Sequence, residues 1–100
     1  MPTVYRIRIT PRALADIEGI FNYIRLHSPQ NAATMTRKLL DAIDGLEILP
    51  YRFDAPRVGS VRGRQTRSMP VWPYLVRYRV DEEKEVVFIL RIRHGARRRP

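Results

Sequence analysis

The sequence contains no cysteine. That excludes disulfide bridges and thiolate metal sites, and it fits a reducing compartment. Histidine is scarce as well: His27 and His94 alone, with no cysteine to help, do not build an ordinary zinc site. There is no phosphate-cradling glycine loop. Neither a metal nor a cofactor is expected. Charged residues interrupt every apolar stretch, so none approaches the roughly 20 residues that span a bilayer. The first residues begin a strand-like alternation rather than the apolar block of a signal peptide. The expected location is the cytoplasm, with no membrane association.

Lysine is almost absent too, and its scarcity sharpens the charge. The chain has 19 Lys+Arg against 10 Asp+Glu, a formal +9, and only Lys38 and Lys84 are lysines. Residues 1–50 hold six basic and five acidic side chains, whereas residues 51–100 hold thirteen and five. The excess is therefore +1 in the first half and +8 in the second. A guanidinium presents a planar fork of donors suited to phosphates and carboxylates, and it stacks on aromatic rings. The second half is expected to meet an anionic partner, either nucleic acid or an acidic protein segment. A solvated arginine-rich surface is the plainer alternative.

One hundred residues suit a single domain, 1–100. Tyr5, Ile7 and Ile9 alternate with Arg6 and Arg8, the pattern of a half-buried strand. Thr10-Pro11 pairs a hydroxyl N-cap with proline at the first helical position. Leu14, Ile17, Ile20, Phe21 and Ile24 then recur at helical spacing, predicting an amphipathic helix over residues 11–27. Ser28-Pro29 repeats the start signal. The second helix has the stripe Ala32, Met35, Thr36, Leu39, Ile43 and Leu46, and Pro50 stops it. Two helices joined by one capping dipeptide form a hairpin.

Residues 50–63 lack periodicity and read as a loop carrying Arg52, Arg57 and Arg62. A weakly alternating strand is predicted from Arg64 to Met69, and strong ones from Tyr74 to Val80 and from Glu85 to Arg93. The basic tail, 94–100, is expected to be flexible. The whole is an α+β domain in the order β-α-α-β-β-β, with the helix hairpin on one face of a small, mainly antiparallel sheet.

The register of the last hairpin decides what the other face carries. Pairing Val80 with Val86 makes a five-residue turn and puts Tyr74, Val76, Tyr78 and Val80 beside Val86, Phe88, Leu90 and Ile92 in the core. Leu75, Arg77, Arg79, Val87, Ile89, Arg91 and Arg93 then share the open face. A one-residue shift along the whole hairpin places arginines beside Phe88 and Leu90 in the core, at several kcal/mol per buried charge. The five-residue turn is therefore the expected one.

Three stretches carry a family resemblance. Ala15-Asp16-Ile17 through Tyr23-Ile24, then Ser28-Pro29 and Ala32, form the first. Leu46-Glu47-Ile48-Leu49-Pro50 is the second. The third comprises Tyr74-Leu75-Val76-Arg77-Tyr78-Arg79-Val80, Val86 to Leu90, and His94-Gly95-Ala96-Arg97. In order and spacing these resemble the ParE/RelE toxins of bacterial type II toxin–antitoxin systems, and the His-Gly-x-Arg ending resembles the ParE, plasmid-stabilisation branch. The resemblance implies a hetero-oligomer with an acidic, ParD-like antitoxin, and inhibition of DNA gyrase and replication by the freed toxin. The mixed face offers that antitoxin a seat: Leu75, Val87 and Ile89 for its apolar side, Arg77, Arg79, Arg91 and Arg93 for its carboxylates.

The RelE branch of the resemblance implies a different activity, cleavage of messenger RNA on the ribosome. Such a reaction needs an acid, a base and cations for the charge developing on phosphate. Arg64, Arg67, Arg77, Arg91 and Arg97 are the available cations, and His94 is the acid/base candidate. Two features of that branch are missing: Ser68-Met69-Pro70 stands where it has a basic residue, and no tyrosine follows Tyr78. No catalytic residue is therefore assigned under the ParE reading. His94 reads equally as the end of the last strand, and His27 as a helix-end cap. Trp72, between Pro70 and Pro73, reads either as a base-stacking platform or as the seal of a core edge. A third possibility is a plain basic nucleic-acid-binding module.

Overall fold

The computed structural model describes residues 3–53 and 65–95. Arg57, Arg62, Arg64 and, of the expected tail, residues 96–100 lie outside them; the first two tail residues are not loose, since His94 ends the last strand and the Gly95 amide bonds the Pro73 carbonyl. Strand β1 (Arg6–Ile9) leads into helix α1 (Pro11–Arg25) and helix α2 (Pro29–Asp44). Two short 3₁₀ turns, Gly45–Glu47 and Pro50–Arg52, follow, then β2 (Arg67–Val71), β3 (Tyr74–Asp81) and β4 (Val86–His94). This is the expected α+β order. The sheet runs β1-β4-β3-β2, with β1 parallel to β4 and the other pairs antiparallel. No helix among the described residues is long and apolar enough to cross a membrane.

Both helix starts behave as their dipeptides predict. Thr10 Oγ1 accepts from the Ala13 amide at 3.2 Å, and Ser28 Oγ accepts from the Asn31 amide at 3.2 Å. Thr10 does more than cap. Its hydroxyl donates to the Ile89 carbonyl at 2.7 Å, and its amide donates to the same oxygen at 3.1 Å. The first turn of α1 is thereby pinned against β4, and only a small side chain fits between them. Ala13 is fully buried while Leu14, expected in the apolar stripe, is 48% exposed. On α2 the expected stripe holds: Ala32, Leu39, Ile43 and, just beyond, Leu46 are fully buried.

Strand β4 departs from simple alternation. At the far end of the hairpin the pairing is shifted by two from the expected register, which keeps every side chain on its expected side: Val76 lies opposite Ile92, Arg77 opposite Arg91 and Leu75 opposite Arg93. Nearer the turn it shifts by one: Val80 faces Val87 and Asp81 faces Val86, so the turn has four residues, Glu82 to Glu85. The slip occurs between Arg77 and Tyr78, whose partners are Arg91 and Ile89, leaving Leu90 as the extra residue of a β-bulge. Val87 and Ile89, expected on the open face, are fully buried, and Ile92 is only 4% exposed. Phe88, expected in the core, is half-buried on the open face beneath the Arg79 guanidinium, 4.7 Å from its ring centroid. A uniform strand cannot turn Val87, Ile89 and Ile92 to one side; a bulge can.

The turn is held by Glu82, which accepts from Tyr51 Oη at 2.8 Å and from Tyr5 Oη at 3.4 Å. Burial, then the Glu82 contact and charge, push the Tyr51 hydroxyl up to about 12. Tyr78 Oη donates to the Pro50 carbonyl, and Arg67 donates to the Phe53 carbonyl at 2.7 Å while lying over the Tyr51 ring. These contacts tie the segment after α2 to the sheet.

The register makes a direct prediction. Ile89→Ala should destabilise the isolated protein by about 2–5 kcal/mol in urea denaturation, as a large-to-small change in a closed core does. Phe88→Ala should cost clearly less. Equal losses at the two positions would contradict the bulge.

Candidate functional site

Helices cover one face of the sheet; the other carries the arginines. Because β3 alternates, Leu75, Arg77 and Arg79 project together from the open side while Tyr74, Val76 and Tyr78 are buried. Arg8 joins them through Phe88, and Arg93 through Leu75, by direct cross-strand pairing. Of the seven residues expected to line this face, Leu75, Arg77, Arg79, Arg91 and Arg93 lie on it, and Val87 and Ile89 do not. Phe88 and Leu90 supply the apolar surface instead, and alternation alone did not reveal them.

A groove of about 640 Å³ crosses this face near the end of β4, lined by Ser68, Leu75, Arg77, Arg91, Arg93, His94 and Gly95 among others. Arg77 is steadied by a 3.1 Å hydrogen bond to Thr66 Oγ1. Gly95 closes one end, donating to the Pro73 carbonyl at 2.8 Å. A Cβ there would meet the Trp72 ring at 3.2 Å and Leu75 at 3.3 Å, so any larger residue must push these side chains back by a few tenths of an ångström. Trp72 itself is 63% exposed and seals no core edge.

Arg91 is not a free cation. Its Nε donates to Asp16 Oδ2 on α1 at 2.9 Å and its Nη2 to Oδ1 at 3.4 Å, while the Ile92 amide donates to Oδ2 at 2.9 Å. Burial raises the Asp16 carboxyl, but these hydrogen bonds and the charges of Arg91 and Arg12 outweigh it, holding it below the ordinary 3.8. Donating to the Asp16 carboxylate raises Arg91 in turn. The sequence did carry a signal for this role: a carboxylate at position 16 stands between the buried Ala13 and Ile17 on a helix otherwise apolar along that side.

On the other side of the β4 end lies a second cleft of about 590 Å³, lined by Ala15, Asp16, Gly19, Ile20, Tyr23, Tyr74, Ile92 and His94. His94 ends β4, exposed, with its ring edge-on to Tyr74 at 5.4 Å. It stands beside Arg77, Arg91 and Arg93 of the groove; Arg64 and Arg97, the other cations of the ribonuclease reading, fall outside the described residues. His27 lies against Tyr23, with its amide bonded to the Ile24 carbonyl.

The fold is shared with solved bacterial and archaeal proteins of toxin–antitoxin systems. The "Chromosomal ParDE TA system from P. aeruginosa" superposes with a TM-score of 0.69 at 25% identity, over 92% of this chain and 97% of that one. The toxin–antitoxin complex of archaeal RelE and RelB from Pyrococcus horikoshii shares the fold, with a TM-score of 0.67 over 95% and 99% of the chains at 19% identity. Toxin RelE2 of Caulobacter vibrioides is 40% identical over 88 residues, spanning 88% of this chain and 92% of that protein. The family model for the ParE toxin of type II toxin–antitoxin systems matches residues 7–99. The chain belongs to the ParE toxin family, within the ParE/RelE group of type II toxins.

The Asp16 contact sets an acid dependence. A carboxyl held below its unfolded value stabilises the fold at pH values above that unfolded value, and the contribution is lost as pH falls through the folded one. Thermal denaturation of the wild type should therefore weaken below about pH 4. Asp16→Asn keeps an acceptor for Ile92, should melt lower at neutral pH, and should lose part of that acid dependence. An unchanged acid limb in the variant would assign the dependence to other carboxylates.

Proposed function

We propose that this chain is the toxin of a type II module, kept inactive in a cytoplasmic hetero-oligomer by an acidic antitoxin, and that it acts by binding DNA gyrase rather than by cutting RNA. The observation that carries the antitoxin reading is the composition of the open face. Leu75, Phe88 and Leu90 lie among Arg8, Arg77, Arg79 and Arg93, an apolar surface interleaved with fixed positive charge. An amphipathic acidic segment matches it on both counts. The gyrase reading is supported by the match to the ParE family over residues 7–99.

The ribonuclease reading has its own support. The relative at 40% identity bears the name RelE2, and His94 stands at the mouth of a groove holding Arg77 and Arg93. General acid–base work on RNA needs such a pairing of imidazole and cations. The two readings part at His94. If the toxin acts by binding gyrase, His94→Ala remains toxic, and induction without antitoxin produces filamentation, a DNA-damage response and altered supercoiling. Rapid messenger loss with supercoiling intact, abolished by His94→Ala, would overturn the gyrase reading.

For the antitoxin, removing charge-assisted contacts from a partner interface costs on the order of 1.5–3 kcal/mol. Arg77→Ala with Arg93→Ala should weaken the complex at least about tenfold by calorimetry, with a shallower salt dependence than the wild type. Arg91 is left out of this pair because Asp16 already holds it. Unaltered affinity in the double variant would remove the open face from the interface.

A further inference from the structure

The second cleft contains a residue that the free protein does not explain. Gly19 lies in the interior of α1, where glycine is a poor helix former because it leaves the most backbone freedom to be lost. Its φ is not left-handed, and a Cβ built on it meets no atom within 4 Å. Neither conformation nor packing within the described residues calls for glycine there. The contrast with the other two described glycines is plain: a Cβ at Gly45 would come within 3.3 Å of Arg52, and one at Gly95 within 3.2 Å of Trp72. An isolated glycine inside a helix costs stability relative to alanine, and it leaves the helix backbone bare to a group that packs there.

The walls say what kind of group. Ala15, Gly19 and Tyr23 follow one another at four-residue spacing, so they share one stripe of α1. Ile20, Tyr74 and Ile92 complete the lining, and Tyr23 leaves two thirds of its surface, 66%, exposed. The one carboxylate at the wall, Asp16, is already occupied by Arg91 and the Ile92 amide. Apart from His94 at the end of β4, what remains is apolar and aromatic. Ile92 and His94 line both this cleft and the arginine groove, so the two adjoin at the end of β4.

We infer that the cleft at Gly19 receives an apolar side chain of the same acidic partner segment whose carboxylates the arginine groove takes, the missing Cβ being what lets it pack against the α1 backbone. This rests on the antitoxin reading and adds an anchor to it. The arginines give the segment its orientation; the cleft gives it a buried contact that salt does not screen.

The test separates stability from binding. Gly19→Ala fills open space and improves helix propensity, so the isolated protein should melt at the same temperature or higher. Its affinity for the antitoxin encoded beside it, measured calorimetrically, should nonetheless fall several-fold. Gly19→Leu should lower that affinity at least about tenfold, with the loss persisting at high salt, unlike that of Arg77→Ala with Arg93→Ala. Wild-type affinity in both glycine variants, while the wild type binds tightly, would overturn the anchor and leave the antitoxin reading standing. No binding by the wild type would remove the antitoxin reading itself, and the anchor with it. A wild type that sediments as a dimer and a Gly19→Leu variant that sediments as a monomer would instead assign the cleft to a second copy. A variant that loses only binding to a labelled single-stranded oligonucleotide would assign it to a nucleobase. Either result overturns the proposal.

Discussion

The carboxylate of Asp16 is the point on which the molecule turns. Strand β1 ends at Ile9, opposite Ile89, while β4 continues to His94. Beyond Ile89 the β1 side of β4 has no strand to pair with, and its polar backbone groups need partners. Thr10 takes the Ile89 carbonyl, and Asp16 takes the Ile92 amide. Helix α1 thus substitutes for the missing strand through two side chains. The same carboxylate reaches Arg91, just past the bulge, so one residue fixes helix position, strand end and the wall between two grooves.

The arginines divide into those the fold uses and those it leaves free for a partner. Arg67 bonds the Phe53 carbonyl and stacks on Tyr51; Arg91 is held by Asp16; Arg79 covers the ring of Phe88. Each is a task for a planar, delocalised cation rather than an ammonium. Arg93 is exposed, and Arg77 is held by the neutral hydroxyl of Thr66. Net charge alone counts all of these equally. Geometry separates the structural guanidinium groups from those still available to a carboxylate or phosphate, and the candidate interface is correspondingly narrower than the composition implied.

Much of this was legible beforehand. The two hydroxyl-proline starts named both helices, and α2 buries the stripe that its spacing predicted. Alternation along Tyr74 to Val80 correctly sorted β3 into a core side and an arginine side. What alternation could not show was the bulge, because period-two reasoning assigns every residue of a strand from any one of them. The sides of Arg91, Ile92 and Arg93 therefore came out right, though their partners are shifted by two, while Val87, Phe88, Ile89 and Leu90 were placed on the wrong sides. Leu14 failed for a related reason: Thr10 binds the β4 backbone, and that long-range contact rotates α1 towards Ala13. The second cleft left only a faint trace, a glycine amid a helical pattern.

The parallel pairing of β1 with β4 has a consequence for how the protein comes into being. Thr10 and Ile89, which seal that pairing, lie 79 positions apart. Contacts so distant in sequence form only after the entropy of closing a long loop has been overcome. A growing chain that lacks β4 has no strand for β1 to join and no roof for Ala13 and Ile17. The core and the arginine face consequently arise together and late, once residues 86–94 have been made. A truncated translation product has neither, so incomplete synthesis yields no partly armed fragment.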